Sequence, residues 1–230
     1  MNIAIIPARS GSKRIPGKNI KEFCGKPMIG WSILEAINSE CFDHIVVSTD
    51  SHEIAEIANS FGADTPFIRP KNISDDFTPI VTVMKHAISE LLNLSYKMTN
   101  ICCIFATAPF IRSNYIKSGL HQLTNNGCDY VFPVTTFSYP IQRSLIVNTD
   151  NTIRMLYPEL SHTRSQDLDE AWHDAGQFYW GKFESWIEEK EIFKSDTQIL
   201  RLPRKLVQDI DTYEDWEYAE ALFNSITQKK

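Results

Sequence analysis

Basic residues are concentrated in one short stretch near the start of the chain. Residues 8–19 read ARSGSKRIPGKN and continue directly from the apolar run IAIIPA (3–8). In alternating α/β folds, ligands bind beyond the carboxyl ends of the strands. Glycine lets the backbone approach a ligand closely, and arginine and lysine bring positive charge to phosphate oxygens. We call this stretch the basic loop, and its position favours a phosphate-binding site over a solvated surface loop.

Two common phosphate-binding motifs do not fit the basic loop. The dinucleotide fingerprint G-x-G-x-x-G fails because Gly11 is followed by Ser-Lys rather than by a second glycine in register. The P-loop pattern G-x-x-x-x-G-K-[ST] fails because position 12 is not glycine and Lys18 is followed by Asn19. The loop therefore predicts an anion site of another kind.

Two carboxylates are spaced for a metal near the end of the chain. Asp209 and Asp211 flank Ile210, and alternate residues of an extended segment face the same side. Mg²⁺ takes oxygen ligands and commonly lies between carboxylates and substrate phosphates. The spacing also fits a helix cap, with Asp211 or Thr212 followed three residues later by an acid. From the residues alone, ligation and capping remain equally open.

Other acidic residues occur at predicted element boundaries. Asp50 ends the second predicted strand, where it is suited either to support the basic loop or to cap the helix that follows. Asp75 and Asp76 precede a helix, and capping is the expected role for both. The N-terminus of that helix, near Thr78, is a further candidate for phosphate contact.

The elements that must position these residues alternate between apolar runs and helical patterns. Strands are predicted at 3–8, 44–49, 65–69, 101–106, 130–134, 177–181 and 197–203. Helices are predicted at about 27–40, 51–62, 78–94, 113–126 and 182–189, and from about 212 onward. This β-α-β order with short connections predicts an α/β fold with a mostly parallel sheet and helices on both faces.

The regular alternation stops after Val134. Residues 135–175, called the arm below, contain no long helical pattern and many aromatics. Within them IQRSLIV and TIRMLY flank the turn sequence NTDN, which predicts a hairpin. A length of 230 residues suits a single domain. We therefore expect one domain over 1–230, with the arm serving a partner or covering a substrate.

Composition excludes several classes of protein. A net charge of -6 argues against a protein that coats nucleic acid. No apolar run approaches the ~18 residues of a membrane span, and MNIAIIPAR lacks the basic and long apolar regions of a signal peptide. The five cysteines are irregularly spaced, which favours buried reduced thiols over disulfides or a metal. The expected compartment is the cytoplasm.

Several motifs in order resemble one enzyme family. The segments PARSGSKRIPGKN (7–19), GKPMIGWSI (25–33), RPKNISDDFTP (69–79) and DIDTYED (209–215) look like those of the CMP–sialic acid synthetases, which are cytidylyltransferases. The resemblance covers nearly the whole chain. It implies a Rossmann-like three-layer sandwich that couples CTP to a 2-keto-3-deoxy sugar acid, giving CMP-sugar and pyrophosphate.

The resemblance also implies roles for individual residues. It implies catalytic roles for Arg9, Lys18 and Asp211, a Mg²⁺ site on Asp209 and Asp211, and catalysis mainly by positioning and charge neutralisation. It further implies a homodimer in which the arm reaches the neighbour's active site. The expected nucleotide-binding residues are Ala8, Arg9, Ser10, Gly11, Lys13, Lys18, Asn19 and Thr78.

The second half of the chain resembles the pseudaminic acid branch of this family. Ala106, in IFATAP, stands where the sialate branch has glutamine, and HDAGQ (173–177) stands where that branch has a P-N-G pattern. These departures predict pseudaminic acid as the sugar. The expected sugar-binding residues are Ala106, His173, Asp174 and Gln177, with Arg164 and Arg143 as candidates for the sugar carboxylate.

Four alternatives remain open at this point. The enzyme could act on N-acetylneuraminic acid, or on a sugar 1-phosphate or a 3-deoxy-octulosonate. A regulator that binds nucleotide without catalysis would also use the basic loop. A glycosyltransferase would account for the D-x-D motif, although not for its place before the last helix or for the basic loop. No side chain is an obvious general base.

Overall fold

The fold is described here from a computed structural model that covers residues 1–194 and 196–227. The strands are β1 (Asn2–Pro7), β2 (Glu22–Phe23), β3 (Lys26–Pro27), β4 (His44–Ser48), β5 (Asn100–Ile104), β6 (Tyr130–Thr136), β7 (Leu145–Val147), β8 (Ile153–Met155), β9 (Trp172–Asp174), β10 (Phe178–Lys182) and β11 (Thr197–Arg201). The helices are α1 (Met28–Ser39), α2 (His52–Ser60), α3 (Ile80–Asn93), α4 (Ser113–Asn126), α5 (Phe183–Ile187) and α6 (Tyr213–Thr227).

The main sheet is mixed but mostly parallel, as predicted. Its order is β11-β6-β10-β5-β1-β4, and β9 pairs with the end of β6. β1 is parallel to β4 and β5, and β6 is parallel to β11, whereas β10 and β9 are antiparallel to their partners. Pro133 lies where the neighbour of β6 changes from β10 to β9, which suits a residue without an N–H to donate.

Apolar residues pack on both faces of this sheet. Adjacent Cys102 and Cys103 point to opposite faces, because successive side chains alternate along a strand. One face packs against α1, α2 and α4, and the other packs against α3 and α5. The result is the helix–sheet–helix sandwich expected from the β-α-β pattern.

A third apolar cluster connects the two ends of the chain. Ile15 of the basic loop and Ile210 of the D-x-D segment are both fully or almost fully buried in it. They pack with Phe23, Trp216 and Phe223, the last two on α6. Burial of these groups therefore fixes the basic loop and the two carboxylates relative to each other, although about 190 residues separate them in sequence.

One predicted strand is wrong. Residues 65–69 form no strand. Two isolated bridges flank Pro66 instead, one from Val46 of β4 to Asp64 and one from Thr49, just after β4, to Ile68. Pro66 lies between the two bridges and has no N–H, so a continuous ladder cannot form there. The apolar pattern was therefore overridden by a single proline.

The arm forms the predicted hairpin. β7 and β8 pair around residues 148–152, and the rest of 137–171 is built from short 3₁₀ turns and irregular chain. Val147 and Ile153 face each other across the hairpin and are 64% and 62% exposed. Assignment of 1–230 to one domain, with the arm serving dimerisation, remains a prediction.

Two further observations concern the helices of the described residues. Among residues 1–194 and 196–227, no helix combines the length and apolar character needed to span a bilayer. α6 continues through Thr227. Residues 228–230 lie outside the described part of the chain.

Candidate active site

The basic loop is held at its start by Asp50. The Ser10 N–H donates to Asp50 Oδ1 at 2.8 Å and the Ser10 hydroxyl donates to Asp50 Oδ2 at 2.8 Å. Helix α2 is capped instead by Ser51, whose hydroxyl accepts from the Ile54 N–H. Of the two roles considered for Asp50, the structure supports loop support rather than capping. The Ala8 N–H donates to the Ser48 carbonyl, which ties the same end of the loop to β4.

The other end of the basic loop is held by Asn19. Its buried side-chain amide donates to the Arg9 carbonyl at 2.8 Å. Gly17 has a φ of +65°, a conformation that glycine adopts at little cost, and its carbonyl accepts from Ile20 and Lys21. These bonds fold the loop back on itself and leave several of its cationic side chains on one side.

Four of the predicted nucleotide-binding residues line one cavity of about 430 Å³. They are Arg9, Lys13, Lys18 and Asn19, and Arg14 joins them. We call this space the basic cavity. Four cationic side chains around one small volume suit an anion with several charges. Ala8 and Ser10 shape the loop through the bonds described above. Gly11 lies close to the Arg9 side chain, because a Cβ placed on Gly11 would be 4.0 Å from a guanidinium nitrogen of Arg9.

Asp76 also lines the basic cavity. The sequence analysis did not predict this position. Its carboxylate pairs with Arg9 at 2.5 Å and with Lys13 at 2.7 Å. The bonds from Lys13 and Arg9 lower the pKa of Asp76. The expected capping role is therefore wrong for Asp76: its carboxylate lies on the cations that would bind phosphate.

Asp75 instead holds the turn before α3. It accepts hydrogen bonds from the N–H groups of Phe77 and Thr78 and from the Thr78 hydroxyl. The Thr78 side chain is thus used within the turn. The nucleotide contact expected of Thr78 remains a prediction.

Capping of α6 leaves the D-x-D carboxylates out of the cap. Asp215 Oδ2 accepts from the N–H groups of Asp211 and Thr212 and from the Thr212 hydroxyl, at 2.8 to 3.1 Å. The Thr212 hydroxyl in turn accepts from the Asp215 N–H. Because Thr212 and Asp215 perform the capping, the carboxylates of Asp209 and Asp211 remain available for another role.

Asp211 contacts two of the cations that line the basic cavity. Its Oδ1 lies 2.8 Å from Arg14 Nη2 and 3.4 Å from Lys18 Nζ, and Lys18 also donates to the Ile210 carbonyl at 2.6 Å. Partial burial and the charge of Asp211 both raise the pKa of Asp209, although Asp209 keeps a large exposed surface. Mutual repulsion of this kind is expected where two carboxylates share one site.

A larger cavity of about 790 Å³ adjoins the basic cavity. Thr107, which follows β5, lines both spaces. We call the larger space the acceptor cavity. Its walls come from 135–138, 173–176, 204–209 and α6. Of the predicted site residues, it is lined by His173, Asp174 and Asp209.

The polar wall of the acceptor cavity is held by local contacts. The Tyr179 hydroxyl donates to Asp174 Oδ2, and the Gly176 N–H donates to Asp174 Oδ1 at 3.0 Å. Burial, followed by the charge of Asp174, raises the pKa of Tyr179. The His173 ring lies 4.8 Å from the Phe137 ring, centroid to centroid. These contacts fix the orientation of Asp174 and His173.

Two other predicted sugar contacts lie in the core. Gln177 is 3% exposed and donates to the Leu206 carbonyl at 2.6 Å. Ala106 is also 3% exposed and packs in the apolar core, while its neighbours Phe105 and Thr107 line the acceptor cavity. Within this chain Gln177 supports the cavity wall, and sugar contacts by Gln177 and Ala106 remain predictions.

The two arginines predicted for the sugar carboxylate have partners within the arm. Arg143 donates to the carbonyls of Ser161 and Thr163. Arg164 forms a two-point pair with Asp167, at 2.6 and 3.1 Å. In the part of the chain that the structure describes, neither arginine lines the basic or the acceptor cavity. Their substrate roles stay predictions.

Sequence reasoning also missed Arg204 and Lys205. Both line the acceptor cavity, from the 3₁₀ turn Arg204–Leu206. The available signal was the pair of adjacent cations shortly before the D-x-D motif.

No group of three or more histidine, cysteine, aspartate or glutamate side chains that could hold a metal occurs among the described residues. A metal here would therefore rely on the two aspartates and on substrate oxygens.

Comparison with known proteins decides the family. A model of the cytidylyltransferase family matches residues 3–226. The chain belongs to the cytidylyltransferase family. This cytidylyltransferase is therefore an enzyme that transfers a nucleotidyl group, and the regulator and glycosyltransferase alternatives are set aside.

Two sequence relatives and one solved structure illustrate the similarity. The cytidylyltransferase is 45% identical over 222 residues to the pseudaminic acid cytidylyltransferase of Campylobacter jejuni subsp. jejuni serotype O:23/36 (strain 81-176), covering 96% of each chain. It is 30% identical to the CMP-N,N'-diacetyllegionaminic acid synthase of Legionella pneumophila, covering 96% and 95%. The structure of CMP:2-keto-3-deoxy-manno-octonic acid synthetase complexed with CTP has a TM-score of 0.71 at 16% identity, covering 98% and 99%, which confirms the Rossmann-like fold.

Proposed function

We propose that this cytidylyltransferase couples CTP to a nine-carbon 2-keto-3-deoxy sugar acid, with pseudaminic acid as the preferred sugar. One observation carries the proposal. A cavity lined by four cations adjoins a larger polar cavity, and the D-x-D segment borders both, because Asp211 contacts Arg14 and Lys18 while Asp209 lines the larger space. The first cavity suits a triphosphate and the second suits a sugar acid.

The proposed reaction is a displacement at the α-phosphorus of CTP. The oxygen of the sugar's anomeric hydroxyl forms the new P–O bond and releases its proton to water, while the bond between the α-phosphorus and the bridging oxygen breaks and pyrophosphate leaves. Arg9, Lys13 and Lys18 would bind the triphosphate and neutralise the charge that develops on the leaving group. Positioning two substrates in adjoining cavities supplies much of the remaining rate enhancement.

The residues present fit a Mg²⁺ requirement. Asp209 and Asp211 provide hard oxygen donors outside the α6 cap, and Mg²⁺ is often held by one or two carboxylates together with substrate phosphates. When bound, Mg²⁺ would supply charge neutralisation at the α-phosphate. Asp211 would also orient Lys18 and Arg14, since both cations lie against its carboxylate.

Preference for pseudaminic acid is supported by the 45% identity to a pseudaminic acid cytidylyltransferase. Pseudaminic acid and N-acetylneuraminic acid share the carboxylate and the anomeric centre. They differ in ring stereochemistry and in the substituents at carbons five and seven to nine. His173 and Asp174 line the acceptor cavity in fixed orientations and would read those positions. A site built to hydrogen-bond one arrangement rejects the other because buried polar groups are left unpaired. N-acetylneuraminic acid is the alternative substrate.

A homodimer formed through the arm completes the proposal. The hairpin exposes Leu145, Val147 and Ile153 together, and a patch of this kind is suited to a protein interface. Such an arrangement would bring Arg164 or Arg143 near the neighbour's acceptor cavity. We further propose that the enzyme works in the cytoplasm, where its buried thiols would stay reduced.

Pyrophosphate release from a panel of substrates tests this function. CTP, UTP and ATP are each combined with pseudaminic acid, N-acetylneuraminic acid and 3-deoxy-octulosonate in the presence of Mg²⁺. We expect rapid release with CTP and pseudaminic acid, and little with the other pairs. Release with 3-deoxy-octulosonate and none with either nine-carbon sugar would contradict the proposal.

A further inference from the structure

The acceptor cavity contains two cations on a firmly held turn. Arg204 and Lys205 begin the 3₁₀ turn Arg204–Leu206, and the Leu206 side chain is buried beneath it. Gln177, the residue before β10, donates to the Leu206 carbonyl, and Thr135 of β6 donates to the Leu202 carbonyl at 2.9 Å. Two strands of the main sheet therefore fix the turn from below, and both cationic side chains line the cavity above it.

The charge of Arg204 has no anionic partner within the described chain. No carboxylate among the described residues lies within 4.0 Å of Arg204 or Lys205, and the guanidinium makes one long contact, at 3.4 Å, with the Phe137 carbonyl. Arg164, by contrast, is paired at two points with Asp167, and Arg143 donates to two carbonyls. Of these three arginines, Arg204 therefore lines the acceptor cavity and has N–H donors free to bind a ligand.

The chemistry of the substrate class restricts where its carboxylate binds. In the ring form of a 2-keto sugar acid, the carboxylate and the attacking hydroxyl are attached to the same carbon. A cation that binds this carboxylate must therefore lie close to the reacting end of the sugar. Arg204 lines the same cavity as Asp209, and the two belong to one wall segment, 204–209. Arg204 therefore lines, from within the same chain, the cavity that also contains the D-x-D residue Asp209.

We propose that Arg204 binds the carboxylate of the sugar acid, using the paired donors of its guanidinium, with Lys205 adding positive charge. This assignment rests on the proposed function. A planar guanidinium matches a carboxylate at two points, whereas an ammonium acts as a point charge. The pair would make the enzyme selective for acidic sugars over neutral ones of the same shape.

The first test compares the Michaelis constants of variants. Arg204→Gln should raise the KM for pseudaminic acid by about 10- to 100-fold and leave the KM for CTP within about twofold, because one charge-assisted pair is lost in one cavity only. Arg204→Lys should recover part of the loss. Arg201→Gln is the matched control, since Arg201 lies on β11 with its guanidinium 4.9 Å from the Trp172 ring and outside the acceptor cavity. It should behave like the unaltered protein.

The second test removes the charge from the substrate. The methyl ester of pseudaminic acid should bind more weakly than the acid to the unaltered enzyme, measured as a competitive inhibitor. In Arg204→Gln, the ratio between the binding constants of acid and ester should fall by the same factor by which the substitution weakens binding of the acid. Arg204→Lys replaces this variant if the glutamine variant does not fold. Equal discrimination between acid and ester before and after substitution would overturn the assignment.

The outcomes separate this assignment from the proposed function. If the unaltered protein releases no pyrophosphate with any sugar acid, the proposed function fails and the assignment fails with it. If it is active with pseudaminic acid and Arg204→Gln keeps its KM for the sugar, only the assignment is overturned. If the KM for the sugar rises strongly in Arg164→Gln and does not rise in Arg204→Gln, the sugar carboxylate is bound by Arg164 of the arm instead.

Discussion

The basic cavity and the acceptor cavity are built in different ways. Most of the basic cavity comes from one continuous stretch, 8–19, which lies between β1 and β2. The acceptor cavity comes from five places along the chain, with walls from 105–107, 135–138, 173–176, 204–209 and α6. One cavity is therefore local in sequence, and the other exists only after the sheet has assembled.

This difference matches what each cavity must recognise. A triphosphate is defined mainly by its charge, which a short loop with several cations can bind through many alternative contacts. A sugar acid is defined by the directions of its substituents, and reading them requires side chains fixed from several sides. The apolar cluster around Ile15 and Ile210 joins the two cavities and sets their relative position.

The largest expected effect comes from the aspartates where the two cavities meet. Asp211→Asn should lower kcat by about 10²- to 10³-fold, as removal of one preorganised charged group does at other sites. EDTA should abolish pyrophosphate release, and added Mg²⁺ should restore it. Asp64→Asn, a change of the same kind at an exposed remote carboxylate, serves as the control. Full activity with chelator present would contradict a metal role.

A smaller effect, confined to the basic cavity, is expected for Arg9→Gln. Loss of one charge-assisted contact with phosphate should raise the KM for CTP by about 10- to 100-fold. The KM for the sugar should stay unchanged, since Arg9 lines only the basic cavity of the two. Steady-state kinetics with each substrate varied in turn measures both constants. Equal rises in the two constants would show that the cavities are not separate recognition units.

The arm provides a test of whether the acceptor cavity depends on a second subunit. The double variant Val147→Asp/Ile153→Asp should convert a dimer to monomers, because charge placed in an apolar interface core weakens binding by about 2 kcal/mol or more. Light scattering should report the change in mass, and the KM for the sugar should rise while CTP binding persists. Leu94→Asp, at an exposed apolar position away from the arm, is the control. An unaltered protein that is monomeric and fully active would contradict this role for the arm.

The smallest effect is expected for Asp76→Asn and has the opposite sign. The Asp76 carboxylate pairs with Arg9 and Lys13, so the triphosphate must displace it. Neutralising it should lower the KM for CTP by a factor of about two to five, the scale of an exposed ion pair. Raising the ionic strength should reduce the difference between the variant and the unaltered enzyme. A KM for CTP that rises in Asp76→Asn would instead give Asp76 a direct role in binding.

Local patterns predicted much of the fold. The helix predicted at 113–126 is observed as Ser113–Asn126, and it ends where Gly127 adopts a φ of +69°. The basic loop was also recognisable, because charge, glycine and a strand end coincide within one stretch. Features of this kind depend on neighbours in sequence, so the sequence carries them directly.

The parts that escaped prediction depend on distant contacts. The strand expected at 65–69 failed because Pro66 cannot donate to β4. Asp76 was assigned to a cap because nothing near it in sequence indicates that Arg9 and Lys13 lie beside it. Arg204 gains its place in the acceptor cavity from β6 and β10, which hold the turn on which it lies.

Substrate preference is tested most directly by an internal competition. Equal concentrations of pseudaminic acid and N-acetylneuraminic acid are mixed with limiting enzyme, CTP and Mg²⁺, and the two CMP-sugar products are counted by mass at early times. Their ratio equals the ratio of kcat/KM for the two sugars. We expect an excess of CMP-pseudaminate of up to about 10⁴, the discrimination available to a site that hydrogen-bonds one arrangement and leaves groups unpaired with the other. Comparable amounts of the two products, or an excess of CMP-N-acetylneuraminate, would contradict the proposed specificity.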